Sequence, residues 1–247
     1  MIIDAHAHCD IRFGWRHTPE VLLELMAEAG IDKACITTYA DIPGDDAAAY
    51  PRMLAALREH PDELVAGYLR LNPAYGVRAR ELFIRAVREE GIRGLKIHPT
   101  TIIFPPHSPE VIDVVRLAGE LGVPTLFHSG DEPNALPLQM GKCAAACPDS
   151  AIILGHAGGV FFWEDALSVA QRHANVYLEM SGNPRPDLTR LAIDALGAER
   201  VLFGTDMPAI HPSVERRKLE AAHLNDRERE LVCAGNIIRL MRLDIEP

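Results

Sequence analysis

Met1-Ile2-Ile3-Asp4-Ala5-His6-Ala7-His8-Cys9-Asp10 opens the chain, and the rest is read outward from it. Ile2 and Ile3 begin an apolar strand that ends in His6 and His8, two residues apart. Side chains alternate faces along a strand, so the two imidazoles share one face, roughly 6–7 Å apart. Imidazoles placed so can converge on one cation, and neutral imidazole is the commonest protein metal ligand. The pair alone is a weak signal. With 11 histidines in 247 residues, about half a His-x-His arises by chance. Its weight comes from later strands, whose ends carry further histidines and an aspartate.

Beyond residue 10, helix-like and strand-like runs alternate to the end of the chain. The strand pattern of β-branched and apolar residues recurs at 33–38, 64–71, 93–98, 123–128, 151–156, 175–180 and 200–205. Helical patterns fill 19–30, 45–60, 77–90, 108–121, 136–146, 163–173, 187–196, 211–223 and 227–240. Punctuation supports the boundaries. Pro19 stands early and Gly30 late in the first helix, and Ser108-Pro109-Glu110 is an N-cap followed by proline at N1. Strands that alternate with helices imply a parallel sheet with right-handed crossovers. Eight such units in a chain of this length predict an α/β fold, a closed (β/α)8 TIM barrel, as one domain over 1–247. No Gly-x-Gly-x-x-Gly or phosphate-binding Gly-Lys-Ser/Thr loop follows the first strand, which weakens the open dinucleotide-binding alternative.

A formal net charge of −10 disfavours nucleic acid and anionic membranes as partners. No apolar run is long enough to span a bilayer, and no basic-then-apolar leader opens the sequence, so a cytoplasmic location is expected. The five cysteines, at 9, 35, 143, 147 and 233, include no Cys-x-x-Cys and no disulfide framework. Cys143 and Cys147 are one helical turn apart and read as packing residues.

Barrel enzymes build their sites at the C-terminal ends of the strands. There the chain carries His6 and His8, then Lys96 and His98 in Gly-Leu-Lys-Ile-His-Pro, and His128 in Phe-His-Ser-Gly-Asp. His156 follows in Gly-His-Ala-Gly-Gly, and Asp206 in Phe-Gly-Thr-Asp-Met-Pro. Five of the 11 histidines thus fall in one layer, a concentration that scattered core or surface histidines would not produce.

These segments, in this order, together with the late Gly-Asn-Ile-Ile-Arg-Leu, resemble the amidohydrolase superfamily of metal-dependent barrel enzymes. The likeness is to the amidohydrolase-related branch that contains aminocarboxymuconate semialdehyde decarboxylase, and it runs the full length of the chain. The resemblance implies that His6, His8, His128 and Asp206 hold one metal, Zn²⁺ first among the choices. Another divalent transition metal or a second ion remains open. Three imidazoles and a carboxylate suit zinc, with a water in a remaining or expanded position. Asp206 would also take a proton from that water, and His156 would orient or protonate the substrate. In binuclear members a lysine at the position of Lys96 is carboxylated and bridges two metals, with His128 and His156 on the second ion. Elsewhere it is a plain cation, so Lys96, His98 and His156 read as second-metal or substrate groups.

Softer candidates surround this set. Ser129 and Asp131 could orient His128, and Glu179 and Ser181 could line the pocket. Arg12, Arg16 and Arg70 suit a substrate carboxylate. Cys9 is read as packing, and Phe161, Phe162 and Trp163 as packed under a loop. The segments 101–107 and 131–138 are the longest lids. The expected function is metal-dependent hydrolysis of an ester, lactone or amide in a small substrate, with or without a carboxylate. The alternatives are metal-dependent non-oxidative decarboxylation, a metal-free lactonase and a non-catalytic binding barrel. Relatives suggest a homodimer.

Overall fold

The hydrophobic pattern folds into a ring of parallel strands. The computed structural model describes residues 1–12, 15–44 and 46–246. The side chains of residues 11, 12, 15 and 16 lie outside that description, and with them the readings of Arg12 and Arg16. The strands are β1 (Ile3–His8), β2 (Lys33–Thr37), β3 (Leu64–Arg70), β4 (Gly94–Ile97), β5 (Thr125–His128), β6 (Ile152–Gly155), β7 (Val176–Glu179) and β8 (Val201–Leu202). They pair in chain order, each parallel to the next. The ring closes between its ends, where Ala7 bridges Met207 and the Ala5 amide donates to the Phe203 carbonyl at 3.0 Å.

The helices that follow the strands are α1 (Pro19–Ala29), α2 (Ala49–Glu59), α3 (Val77–Glu89), α4 (Pro109–Leu121), α5 (Pro137–Ala146), α6 (Trp163–Arg172), α7 (Leu188–Leu196) and α8 (Pro212–Ala221). Their ends obey the local chemistry. Ser108 Oγ accepts from the Val111 amide, Pro109 takes N1, and Gly122 ends α4 at a φ of 72°. Val111, Val114, Val115 and Ala118 of α4 are buried, so one apolar stripe faces the strands. Along β4 and β5 the alternation is strict. Leu95, Ile97 and Phe127 join the large core under the helices, while Lys96 and His128 take the other face and end at the mouth. A smaller core holds Cys35, Tyr68, Leu126, Ile153 and Leu202, and the C-terminal residues Ile237 and Met241 add to it.

Three features depart from the sequence reading. A short antiparallel hairpin, Asp10–Arg12 with Trp15–His17, follows β1. The last strand keeps two residues rather than six, because the Phe203 amide turns to the Val232 carbonyl and residues 203–207 lean on β1. The helix expected over 227–240 is in fact α9 (Asp226–Glu230), a π-helical turn (Leu231–Gly235) and α10 (Asn236–Met241). Asn236 explains the break, since its Nδ2 donates to the Ala198 and Val201 carbonyls at 2.7 and 2.8 Å. Among the described residues, no helix is long and apolar enough to cross a membrane.

Candidate metal centre

The period-two argument that paired His6 with His8 also takes in Asp4, and the structure uses all three. Asp4 is fully buried and accepts from the His6 amide at 2.9 Å and the Thr205 amide at 3.0 Å. Its other oxygen accepts from the Thr205 hydroxyl, which in turn accepts from the Met207 amide. This clasp ties β1 to the segment after β8 and sets Asp206 between them. Asp206 sits at a φ of 59° and His156 at 62°. Non-glycine residues in that region cost of order 1–3 kcal/mol each, a cost concentrated at functional sites.

His6 Nδ1 lies 2.9 Å from Glu179 Oε2, and both side chains are fully buried. A carboxylate only accepts, so Nδ1 carries the ring proton and Nε2 presents a lone pair to the mouth. That lone pair faces Asp206 Oδ1 at 3.6 Å and Lys96 Nζ at 2.8 Å. His8 Nε2 stands 3.1 Å from the same Asp206 oxygen, and its ring stacks on Tyr39 at 4.1 Å. His156 Nδ1 meets Ser181 Oγ at 3.0 Å, and its Nε2 meets His128 Nδ1 at 3.1 Å. His128 stacks face to face on His98, 4.0 Å between centroids, and points Nε2 toward Glu132 at 3.5 Å.

Burial sets the charge states. It pushes His8 down to about 4 and holds His6, His98, His128 and His156 below the ordinary histidine range, so these rings are neutral at pH 7. Burial likewise pushes Lys96 down to about 7. For Asp206, burial acts upward, but the hydrogen bond from His8 and the neighbouring imidazoles outweigh it and keep the carboxylate ionised. Glu132 is pushed down to about 2, first by its contact with His128.

The donor set fits a divalent ion. A lone pair and an ionised carboxylate that face each other at 3.6 Å can share one cation between them. Spacings of 3.1 and 3.6 Å to one oxygen bracket the roughly 3.4 Å edge of a tetrahedron with bonds near 2.1 Å. His6, His156 and Asp206 offer ligand atoms that all lie within 4.8 Å of one another, and so do His98, His128 and Glu132. The structure thus brings His6, His8 and Asp206 together as the sequence expects, but stands His156 nearer to them than His128. In the second group the His98 and His128 rings are 7° from parallel, so their in-plane lone pairs run side by side rather than converging.

The softer candidates divide. Glu179 and Ser181 are part of the site's scaffold. Gly204 has no Cβ because one would fall 2.3 Å from Glu179 Oε1. Arg70 is buried and held by Asp41 at 2.6 Å and Thr101 at 2.9 Å, so its guanidinium braces a loop rather than waiting for a substrate. Ser129 bonds the Gly155 carbonyl and the Gly158 amide, and Asp131 the amides of Val160 and Phe161, so both hold the His156 loop instead of orienting His128. Lys96 bonds an imidazole, not a carboxylate. Cys9 packs in the core as expected. Phe161 does not pack under a loop. It is 76% exposed, while Trp163 lies under Arg185, 4.3 Å from its guanidinium carbon. Asp4, Tyr39 and Thr205 were missed. Only Asp4 had a signal, its place two residues before His6.

Comparison with known proteins gives the arrangement its family. No curated protein sequence matches the chain. A 5-carboxyvanillate decarboxylase from Sphingomonas paucimobilis shares its fold, with a TM-score of 0.76 at 16% identity over 98% of this chain and 99% of that one. So does a dihydroxybenzoic acid decarboxylase from Polaromonas, solved with manganese and the inhibitor 2-nitroresorcinol (TM-score 0.74, 17% identity, 99% and 98% covered). A probable 2-pyrone-4,6-dicarboxylic acid hydrolase from Acinetobacter baumannii, with citric acid bound, is also similar (TM-score 0.72, 14% identity, 98% and 99% covered). At these identities the likeness shows the barrel alone. The sequence profile described as Amidohydrolase, however, matches residues 3–243, and this chain therefore belongs to the amidohydrolase family.

Proposed function

We propose that this protein is a metal-dependent enzyme that removes carbon dioxide, without oxidation, from a small carboxylated substrate. The observation that carries the reading is Lys96. Its amine is 1% exposed, lies in the ligand cluster, and bonds an imidazole lone pair rather than a carboxylate. A substrate carboxylate would supply the missing anion. The sequence alone ranks hydrolysis first. The decarboxylases among the fold relatives favour the other order, and lactone hydrolysis becomes the second reading, supported by the pyrone hydrolase.

A divalent ion, zinc or manganese, held by His6, His8 and Asp206, would supply Lewis acidity that orients and polarises the substrate. The chain's own groups do the rest. Lys96 binds the departing carboxylate. The carbon–carboxylate bond breaks, its electron pair stays on carbon, and that carbon takes a proton as carbon dioxide leaves. His156 Nδ1 is held by Ser181, so the unprotonated Nε2 is the atom that would receive a proton by way of His128 and pass it to that carbon. His128 at 3.1 Å and Glu132 at 3.5 Å beyond it lead from Nε2 to solvent. In the second reading, Asp206 takes the proton of the attacking water.

The test is a panel of hydroxylated aromatic carboxylates and of lactones, each offered to Zn²⁺- and Mn²⁺-loaded protein. One carbon dioxide released per substrate consumed, abolished by Lys96→Met, supports decarboxylation. Lactone opening with no carbon dioxide overturns it in favour of the second reading. Metal-loaded protein inert on every member overturns both.

A further inference from the structure

Glu179 ends β7, a strand that supplies no candidate ligand, yet the site is built around it. Its carboxylate is fully buried and takes four donors. The Ser181 amide reaches Oε1 at 2.6 Å. The Ser181 hydroxyl at 2.9 Å, His6 Nδ1 at 2.9 Å and the His156 amide at 3.3 Å all reach Oε2. Each bond fixes a proton. His6 can meet a carboxylate only through Nδ1–H, and a neutral ring has one N–H, so its Nε2 is bare. Ser181 has a single hydroxyl hydrogen, and Glu179 takes it. Toward His156, 3.0 Å away, the Ser181 oxygen can then only accept, so His156 also carries its proton on Nδ1. Turning the hydroxyl to donate to His156 would leave two buried oxygens lone pair to lone pair at 2.9 Å, a desolvated and unpaired arrangement.

We propose that Glu179 is a positioning residue that sets the tautomers of two histidines at once, directly for His6 and through Ser181 for His156, so that both Nε2 atoms face the site bare. The geometry around it is made for this task. Gly204 leaves room for the carboxylate, and Gly182, at a φ of 72°, leaves room for the His156 ring edge, which a Cβ would meet at 3.0 Å. What those Nε2 atoms do rests on the proposed metal-centre reading, but which nitrogen holds each proton does not. A carboxylate that fixes the tautomer and orientation of a ligating histidine commonly changes metal affinity about 10–100-fold.

The experiment uses metal-free protein labelled with ¹⁵N-histidine at pH 8, read by long-range ¹H–¹⁵N correlation. The His6 and His156 signals are assigned by their loss in His6→Gln and His156→Gln. Both rings are expected in the Nδ1–H form in the parent. Ser181→Ala is expected to mix the tautomers of His156 and leave His6 unchanged, whereas Glu179→Gln is expected to mix both. Zn²⁺ titration of the same variants is expected to weaken about 10–100-fold in Glu179→Gln and to stay near the parent in Ser181→Ala. An Nε2–H form of either ring in the parent, or unchanged tautomers in Glu179→Gln, would overturn the proposal. A stabilising role alone would lower stability without moving the tautomers. Should Glu179→Gln not fold, the parent spectrum and Ser181→Ala decide. Full Zn²⁺ affinity in His6→Gln, with the expected tautomers in the parent, would sink the metal reading and leave the role of Glu179 intact.

Discussion

The least common feature at the level of single residues is a lysine buried among neutral histidines. Lys96 is pushed down to about 7 by burial, while in the unfolded chain it titrates near its ordinary value of about 10.4. Between these values the unfolded chain binds the proton and the folded chain does not, so stability rises with pH there. The slope is about 1.4 kcal/mol per pH unit for one such group. In metal-free protein, urea unfolding is therefore expected to show a gain between pH 7 and pH 10 that Lys96→Met flattens. Equal gains in parent and variant would place the lysine's charge elsewhere than in the native state. His8 gives the acid-side counterpart. Its folded value of about 4 lies below the ordinary histidine range, so its contribution is intact above about pH 6.5 and is lost as pH falls toward 4. His8→Gln is expected to unfold less steeply over that window.

Elements hold these residues in place, and two of them do so by means that hydrophobic periodicity does not carry. The C-terminal segment reads as one helix from its apolar spacing, yet the side-chain amide of Asn236 pins it to the carbonyls before and within β8 and opens a π-helical turn. Asn236→Ala removes both bonds and leaves two buried acceptors, an expected loss of roughly 2–4 kcal/mol in urea unfolding, with no change in metal binding. Ser108→Ala, which removes only an N-cap, is expected to cost about 1 kcal/mol. The loop after β6 depends instead on Asp131, whose two oxygens hold the Val160 and Phe161 amides at 2.9 Å. Asp131→Ala is expected to make the exposed Phe161 an early site of chymotryptic cleavage, while global stability changes little. Cleavage at the parent's rate would show that the Ser129 bonds to Gly155 and Gly158 suffice.

For the molecule as a whole, the barrel was legible because two periods, 2 and 3.6, alternate cleanly from Ile3 to Met241 and proline and glycine mark most of the turns. The mouth was legible in part, since strand ends fall where the apolar runs stop, and there His6, His8, His156 and Asp206 do meet. What could not be read is the set of contacts between residues far apart in sequence. Thr205 lies 201 residues from Asp4, and Glu179 lies 173 from His6. No local pattern encodes such pairs. These same contacts join ring closure to the site, because the Asp4–Thr205 clasp both shuts the barrel and carries Asp206, whose amide donates to the His6 carbonyl at 2.8 Å. A ligand that binds only the folded chain at 100 times its Kd stabilises it by about 2.7 kcal/mol. Zn²⁺-loaded parent is thus expected to lose a few degrees of Tm on chelation. Thr205→Val, which keeps the shape and removes the hydroxyl, should start lower and lose less, because a loosened closure costs both stability and the alignment of Asp206 with His6 and His8. If Thr205→Val were destabilised but lost as many degrees to the chelator as the parent, closure and metal site would be independent. Coupling between the two, read as a smaller chelator shift in the variant, is what a barrel sealed by its own active-site strand requires.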